Sequence, residues 1–391
     1  MAGVEQITTK TELLARLNAI KKTLYAEDCR PITMHQLNYH AFEKNNPKRY
    51  IQFQIPKKKK GEFRTITAPN AGLKCIQRCL NVFLLEQFTP HTAANGFVQG
   101  RSVLDNARVH LGRKYVYNID LKDFFPSVKA GRIFSRLQTP PFSFNQEIAS
   151  LITDLCCHEG VLPQGAPTSP TMTNIICERL DWRLSKLAER YDLHYSRYAD
   201  DITFSADKNR FKPQSRFVRE LKKYVRMEWF TINPEKTRLS SKYERQEVTG
   251  LTINEKVNVT QQYVKQIRTM LNNWEKSGYD VAQARFIELY HPKKHVEGHH
   301  HIENILGGKL DYLKMVKGTE DSTYQKLKMR FDNLIAQITK KESVSDRKES
   351  RILQYLTTQA EIATQPKEEK TDSLDDTLQR LCDSKFDLSI L

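Results

Sequence analysis

The stretch Ser196–Ser205 reads SRYADDITFS. Two adjacent carboxylates, Asp200 and Asp201, stand between Tyr198 on one side and Ile202, Thr203 and Phe204 on the other. Aromatic and β-branched flanks of this kind read as strand. An acid pair between two strands is most often a plain turn, because Asp tolerates turn conformations. The alternative is a hairpin whose tip holds a cation. What else the chain brings to that tip decides between them.

The 391 residues suffice for about two to three domains. Apolar residues make up 39% of the chain, enough for a sizeable core, while 62 Lys+Arg against 46 Asp+Glu give a net charge of +16. That excess suits a polyanionic partner, either nucleic acid or an anionic membrane surface. No apolar run approaches the roughly 18 residues of a membrane span. The opening MAGVEQITTKTELL lacks the basic start and apolar block of an export signal. Nucleic acid rather than membrane, and a cytoplasmic location, are therefore expected. The seven cysteines (Cys29, Cys75, Cys79, Cys156, Cys157, Cys177 and Cys382) are odd in number and form no C-x-x-C pair. They read as reduced thiols, mostly small core residues.

Thr9 and Glu12 have capping-box spacing, and Leu13, Leu17, Ile20 and Leu24 follow at helical intervals. YIQFQIPKKKKGEFRTITAPN alternates as a β-hairpin with Lys57–Lys60 and Gly61 at its tip, either a solvated turn or a phosphate-contacting fingertip. Leu73, Ile76, Leu80, Phe83 and Leu84 mark a helix, Tyr115–Leu121 a strand, and Ala130–Leu137 and Gln146–Cys156 further helices. A Gly/Pro loop, EGVLPQGAPTSP, precedes a long helix from about Thr171 to Arg190. A helix from about Pro213 to Met227 leads to WFTINPEKTRLS, and residues 261 to about 337 are helical and basic. Residues 340–391 hold nine Lys+Arg and eleven Asp+Glu. There TQPKEEKTDS reads as a linker, and the capping-box spacing of Ser373 and Asp376 opens a short amphipathic helix.

Asp120 ends the strand YVYNID, 80 residues before Asp200. Two-metal catalysis needs carboxylates from separate elements converging on ions about 3.5–4 Å apart. A strand-end Asp and an Asp pair on a hairpin tip supply them. Without cations their mutual repulsion would raise one another's pKa values; Mg²⁺ removes that penalty and takes one or two carboxylates, phosphates and waters.

The blocks NIDLKDFFPSV, VLPQGAPTSPTMTN, RYADDITFS, NPEKTRLS and VTGLTIN stand in the order found in reverse transcriptases. The chain resembles the bacterial, retron-type members of that family, through NARVH (Asn106, Ala107, His110) and Val248-Thr249-Gly250, over roughly Gln52 to Lys317. Ala199 fills a position that varies in the family. The resemblance implies an α+β right-hand polymerase fold: helical and β fingers, an antiparallel-sheet palm with packed helices, a helical thumb and a short C-terminal helical extension. The expected divisions are 1–115 for the N-terminal helix and fingers, 116–255 for the palm, with fingers–palm elements to about 170, 256–338 for the thumb and 339–391 for the extension.

By the same resemblance Asp120, Asp200 and Asp201 are the metal-binding carboxylates, joined by the backbone carbonyl of Leu121. The ions are two Mg²⁺, with Mn²⁺ as a substitute. Phe125 matches the bulky residue that excludes a 2′-OH, or is a core residue beside Phe124. Gln164 and Gly165 match residues that contact the incoming dNTP and template, Gly165 allowing close backbone approach. Arg64 is either the fingers cation that grips the triphosphate or a solvated strand residue. Lys236 matches the lysine proposed to protonate pyrophosphate, with Arg238 and Lys242 as nearby alternatives.

Retron resemblance further implies a cognate structured non-coding RNA as template and primer, priming from an RNA 2′-OH, and an RNA–DNA hybrid or msDNA product. It also implies a role in anti-phage defence with a separate effector protein, for which residues 343–391 are the candidate docking element. Asn106, His110, Val248, Thr249 and Gly250 would recognise or position the RNA, although His110 is equally readable as a satisfied helix histidine and VTG as a strand end. Lys309, Lys314 and Lys317 would track a duplex backbone in the thumb. The histidines between His291 and His301 lack the carboxylate or thiol pattern of a zinc site and read as a basic loop. Two alternatives remain: another bacterial reverse transcriptase (diversity-generating, intron-like or phage-exclusion type), or an RNA-binding scaffold with an idle palm.

Overall fold

The computed structural model describes residues 7–42, 46–56, 61–290 and 301–342. The basic run Lys57–Lys60, most of the histidine cluster and the C-terminal segment from Ser343 lie outside them. Two compact units divide between Thr249 and Gly250.

The first unit opens with α1 (Lys10–Tyr25), started by the reciprocal Thr9/Glu12 capping box and burying Leu13, Leu17 and Ile20. Then come α2 (Met34–Ala41), the antiparallel strands β1 (Tyr50–Pro56) and β2 (Phe63–Pro69), α3 (Ala71–Gln87) and α4 (Val103–Arg108). After β3 (Tyr115–Leu121) follow α5 (Phe124–Ser127), α6 (Ala130–Leu137), α7 (Gln146–Cys156) and α8 (Ser169–Tyr191). The unit closes with β4 (His194–Tyr198), β5 (Asp201–Ala206), α9 (Arg216–Met227), β6 (Ile232–Ser241) and β7 (Glu247–Val248).

A four-stranded sheet in the order β4-β5-β3-β6, antiparallel throughout, is the centre of this unit. Strand alternation gives it two faces. Tyr195, Arg197, Phe204 and Tyr117 point to one face and meet α8 and α9: Tyr195 and Arg197 reach Asp181, and Phe204 packs on Phe217. Asp120 and Asp201 have the opposite parity and point to the other. The core runs continuously from α1 through α3 and α7 to this sheet.

The second unit begins with β8 (Leu251–Thr252), and its remaining elements are helical: α10 (Gln261–Ser277), α11 (Tyr279–Tyr290), α12 (Ile302–Lys317) and α13 (Ser322–Glu342). Ile267, Leu271, Trp274, Leu306, Leu310, Leu313 and Phe331 form its interior, with Trp274 edge-on to Phe331 at 6.2 Å.

Candidate active site

Ala199 and Asp200 form the turn between β4 and β5, where Tyr198 pairs with Asp201. Ala199 is fully buried and has a φ of 54°, a left-handed conformation costing a non-glycine residue about 1–2 kcal/mol. Several contacts hold it there. Arg197, wholly buried, donates to Ala199 O at 3.2 Å, to Asn174 Oδ1 at 3.0 Å, and to both Asp181 oxygens at 2.7 and 2.6 Å. Burial works against the guanidinium charge, but the Asp181 carboxylate prevails and holds the Arg197 pKa above its usual value. From the other side, Asn95 N donates to Arg197 O at 2.7 Å and Arg197 N to Ala93 O at 2.8 Å. That bridge presses Gly96 onto the turn, where a Cβ would come within 2.4 Å of Ala199 N.

Register places the acids. Asp120 is the direct cross-strand partner of Asp201, so their Cβ atoms stand on one face about 4.5–5.5 Å apart. The carbonyl of Asp200 accepts from Leu121 N at 3.0 Å, which ties the turn to the end of β3. Asp120 also accepts from Lys236 Nζ at 2.9 Å and Asn233 Nδ2 at 3.4 Å, both from β6. Burial raises the Asp120 pKa; the Lys236 contact offsets part of this, and the Asp200 charge pushes it up further. Among the described residues, no three His, Cys, Asp or Glu side chains are already closed into a metal cage. The donors present are hard carboxylate oxygens. They fit a Mg²⁺-type ion, which takes one or two carboxylates and leaves positions for phosphate and water.

Phe125 of α5 is half-buried, against Phe124 at 5.5 Å and Phe97 at 6.1 Å. The Gln164 carbonyl accepts from Thr67 N of β2 at 2.8 Å. A Cβ on Gly165, whose φ is 129°, would lie 2.9 Å from Ile66 and 3.0 Å from Thr67 O. The close approach expected at Gly165 is thus made to β2. Arg64, on the same strand, is partly exposed.

Residues 55–272 match the model of the family described as Reverse transcriptase (RNA-dependent DNA polymerase). The chain is 36% identical to the retron Ec86 reverse transcriptase of Escherichia coli over 227 residues, 58% of this chain and 70% of that one. The chain belongs to the retron-type reverse transcriptases. It is also 36% identical to the retron Mx162 reverse transcriptase of Myxococcus xanthus over 305 residues, covering 67% of this chain and 62% of that relative, which is less than two thirds of its length. A solved telomerase from Candida albicans, in complex with a TWJ fragment of telomeric RNA, aligns over 84% of this chain and 71% of that one at 11% identity. Its TM-score of 0.38 is too low to add to the assignment. The fold is accordingly of the right-hand polymerase class, mixed helix and antiparallel sheet.

The other residues singled out in this reverse transcriptase occupy different settings. His110 is fully buried, its ring nitrogens 2.7 Å from Ser205 Oγ and 2.7 Å from Ser196 Oγ, so it staples β5 to β4. Burial, aided by His194 and Arg113, lowers its pKa to about 3, and it is neutral. Asn106 is also fully buried and accepts from Asn95 Nδ2 at 3.2 Å. Neither side chain presents a surface to RNA; both lie behind the hairpin. Val248 is buried, while Thr249 and Gly250 have φ of 47° and 82°. A β-branched residue at such a φ is an outlier; Thr249 Oγ1 donates to Val103 O at 3.4 Å.

Of the three α12 lysines, Lys314 is exposed, Lys317 pairs with Asp321 at 3.0 Å, and Lys309 is buried with its ammonium 5.0 Å from the Tyr263 ring centroid. Lys309 is therefore a packing residue, displaced from the backbone-tracking role by its place on the apolar side of the helix. Arg197, Asp181, Gly96, Asn233 and Phe97 escaped sequence reading. Of these, Arg197 opens RYADDITFS and Asn233 opens NPEKTRLS, so only those two lay within a visible motif.

Proposed function

We propose that this chain is the RNA-directed DNA polymerase of a retron, copying part of a cognate structured non-coding RNA into DNA from dNTPs. The observation that carries the reading is Asp120 paired in register with Asp201, with Asp200 on the adjoining turn. When bound, divalent ions (two Mg²⁺, with Mn²⁺ as a substitute) would activate the attacking hydroxyl and neutralise the triphosphate and leaving pyrophosphate. Asp120, Asp200 and Asp201 would hold them, with the Leu121 carbonyl as a further ligand.

Lys236 keeps its ammonium on Asp120 at 2.9 Å. With Asp120 engaged by a cation, that ammonium would be free to face the phosphates and donate a proton to pyrophosphate. Phe125, backed by Phe97, would close the space of a 2′-OH and favour dNTPs. The Gln164–Gly165 loop, fastened to β2, would hold the base pair being formed, and Arg64 on that strand would meet the triphosphate. Burial of Asn106 and His110 supports positioning of the hairpin rather than RNA contact. Val248–Gly250 would shape a bend that orients RNA, and Lys314, with Lys317 once it leaves Asp321, would follow the duplex backbone. The helical second unit would serve as the thumb.

Priming from an RNA 2′-OH, an msDNA product and anti-phage action with a separate effector protein in the cytoplasm complete the reading. Sequencing nucleic acid that copurifies with the wild-type chain tests the retron part. A branched RNA–DNA hybrid is expected; DNA joined only through ordinary 3′–5′ linkages would overturn it.

A further inference from the structure

The carboxylates occupy one face of the sheet, and α8 and α9 cover the other. The outer surface of that helix pair therefore looks away from the catalytic side, with the sheet between, and the chemistry above does not use it. It is nevertheless strongly basic. The twelve residues of α9 include five cations and one acid. Arg219, Lys222, Lys223 and Arg226 are exposed, and no carboxylate among the described residues pairs with them.

Two of the chain's three tryptophans share this region: Trp182 on α8 is 57% exposed and Trp229, just after α9, is 77% exposed. Trp229 has a φ of 59°, rare for a bulky side chain. Buried Glu228 binds Arg179 at 2.7 Å and Arg183 at 3.1 Å, which fastens the Trp229 loop to the turn of α8 that carries Trp182. Beside Trp182 lies a cavity of about 420 Å³ whose lining includes His91, Ser185, Lys186 and Tyr195.

A single exposed indole needs no explanation. Here Trp182 borders a polar cavity of nucleotide size and Trp229 follows the cationic row of α9, which matches the way proteins hold single strands: bases stack on aromatic rings and phosphates meet Lys and Arg. A protein partner would call for an apolar patch centre, and this cavity is lined largely by polar side chains. We infer that the outer face of α8 and α9 binds an unpaired stretch of polynucleotide, its bases on Trp182 and Trp229 and its phosphates along α9, apart from the carboxylate site. The inference requires no catalysis, so it can fail while the polymerase reading stands.

The test is a titration of the full chain with an unpaired RNA of roughly 12 nucleotides, and with DNA of the same sequence, followed by tryptophan emission. Trp274 is buried, so quenching reports on the two exposed indoles. We expect RNA or DNA to quench, Trp182→Phe and Trp229→Phe each to remove a share, and Lys222→Glu/Lys223→Glu to weaken binding about tenfold or more at low salt. Unchanged circular dichroism would show that these surface variants remain folded. Stronger quenching by RNA identifies the template or cognate RNA as the strand held, and stronger quenching by DNA identifies the product. No quenching by either strand, equal quenching by polyglutamate, or unchanged affinity in the charge variant would overturn the inference.

Discussion

Arg197→Met separates what holds this fold from what aims the turn that carries Asp200. Arg197 is the largest fully buried side chain among the described residues, and its guanidinium faces a fully buried Asp181. The substitution leaves that carboxylate with Tyr195 OH, 2.6 Å away, as its remaining side-chain donor. Breaking a buried pair from one side costs about 3–5 kcal/mol. In a unit of this size each kcal/mol moves the melting temperature by about 2–4 °C, so a drop of roughly 6–20 °C is expected. Asp181→Leu/Arg197→Met removes both charges, and such apolar exchanges are often neutral or stabilising. Most of the lost stability should return. Activity should not, because the Ala199 carbonyl still lacks its charged donor. One hydrogen bond of that kind is worth about 1.5–3 kcal/mol, or roughly tenfold to a hundredfold in the rate of DNA extension. Guanidinium unfolding and single-turnover extension measure the two effects separately. A single variant within about 1 kcal/mol of wild type, or a double variant with full extension, would show that Arg197 does not have both roles.

Gly96→Ala should cost about 1–3 kcal/mol through overpacking against the Ala199 backbone, and extension should fall further than unfolding accounts for, which the same two assays detect. The lowered pKa of His110 means the unfolded chain binds a proton that the folded chain refuses. Stability is thus retained above pH 6.5 and lost as pH falls towards about 3, by up to roughly 1.4 kcal/mol per pH unit; His110→Gln should flatten that slope in acid titrations of unfolding. Asp120 is shifted the other way: burial raises its pKa, so it costs stability once ionised, as pH rises from its ordinary value through the raised one. Asp120→Asn should accordingly raise the melting temperature at pH 7 while abolishing extension; a lower melting temperature would count against the assigned environment.

Alternation along single segments was sufficient to read Tyr115–Leu121, the flanks of the Asp pair and most helices, because those patterns are local. Helix α2 was missed although Thr33 and Gln36 form the capping box that opens it. The juxtaposition of Asp120 with the Asp200–Asp201 turn was legible because a strand-end acid and a hairpin-tip acid pair are both local signals. The site was illegible wherever a role depends on a partner distant in sequence. A lone Arg reads as solvated, and only Asp181, one helix earlier, makes Arg197 a buried strut. Asn106 and His110 belong to a motif, yet their burial behind β4 and β5 comes from tertiary packing. Lys309 could have been placed by its spacing from Leu306 and Leu313, which puts it on their side of α12.

In the function proposed above, the acids at this hairpin carry DNA synthesis. Its most direct test is extension of a primed RNA template by the Asp200→Ala/Asp201→Ala chain, with RNA binding measured in parallel. No detectable DNA product, and RNA binding close to that of wild type, are expected. DNA made at the wild-type rate would contradict that role.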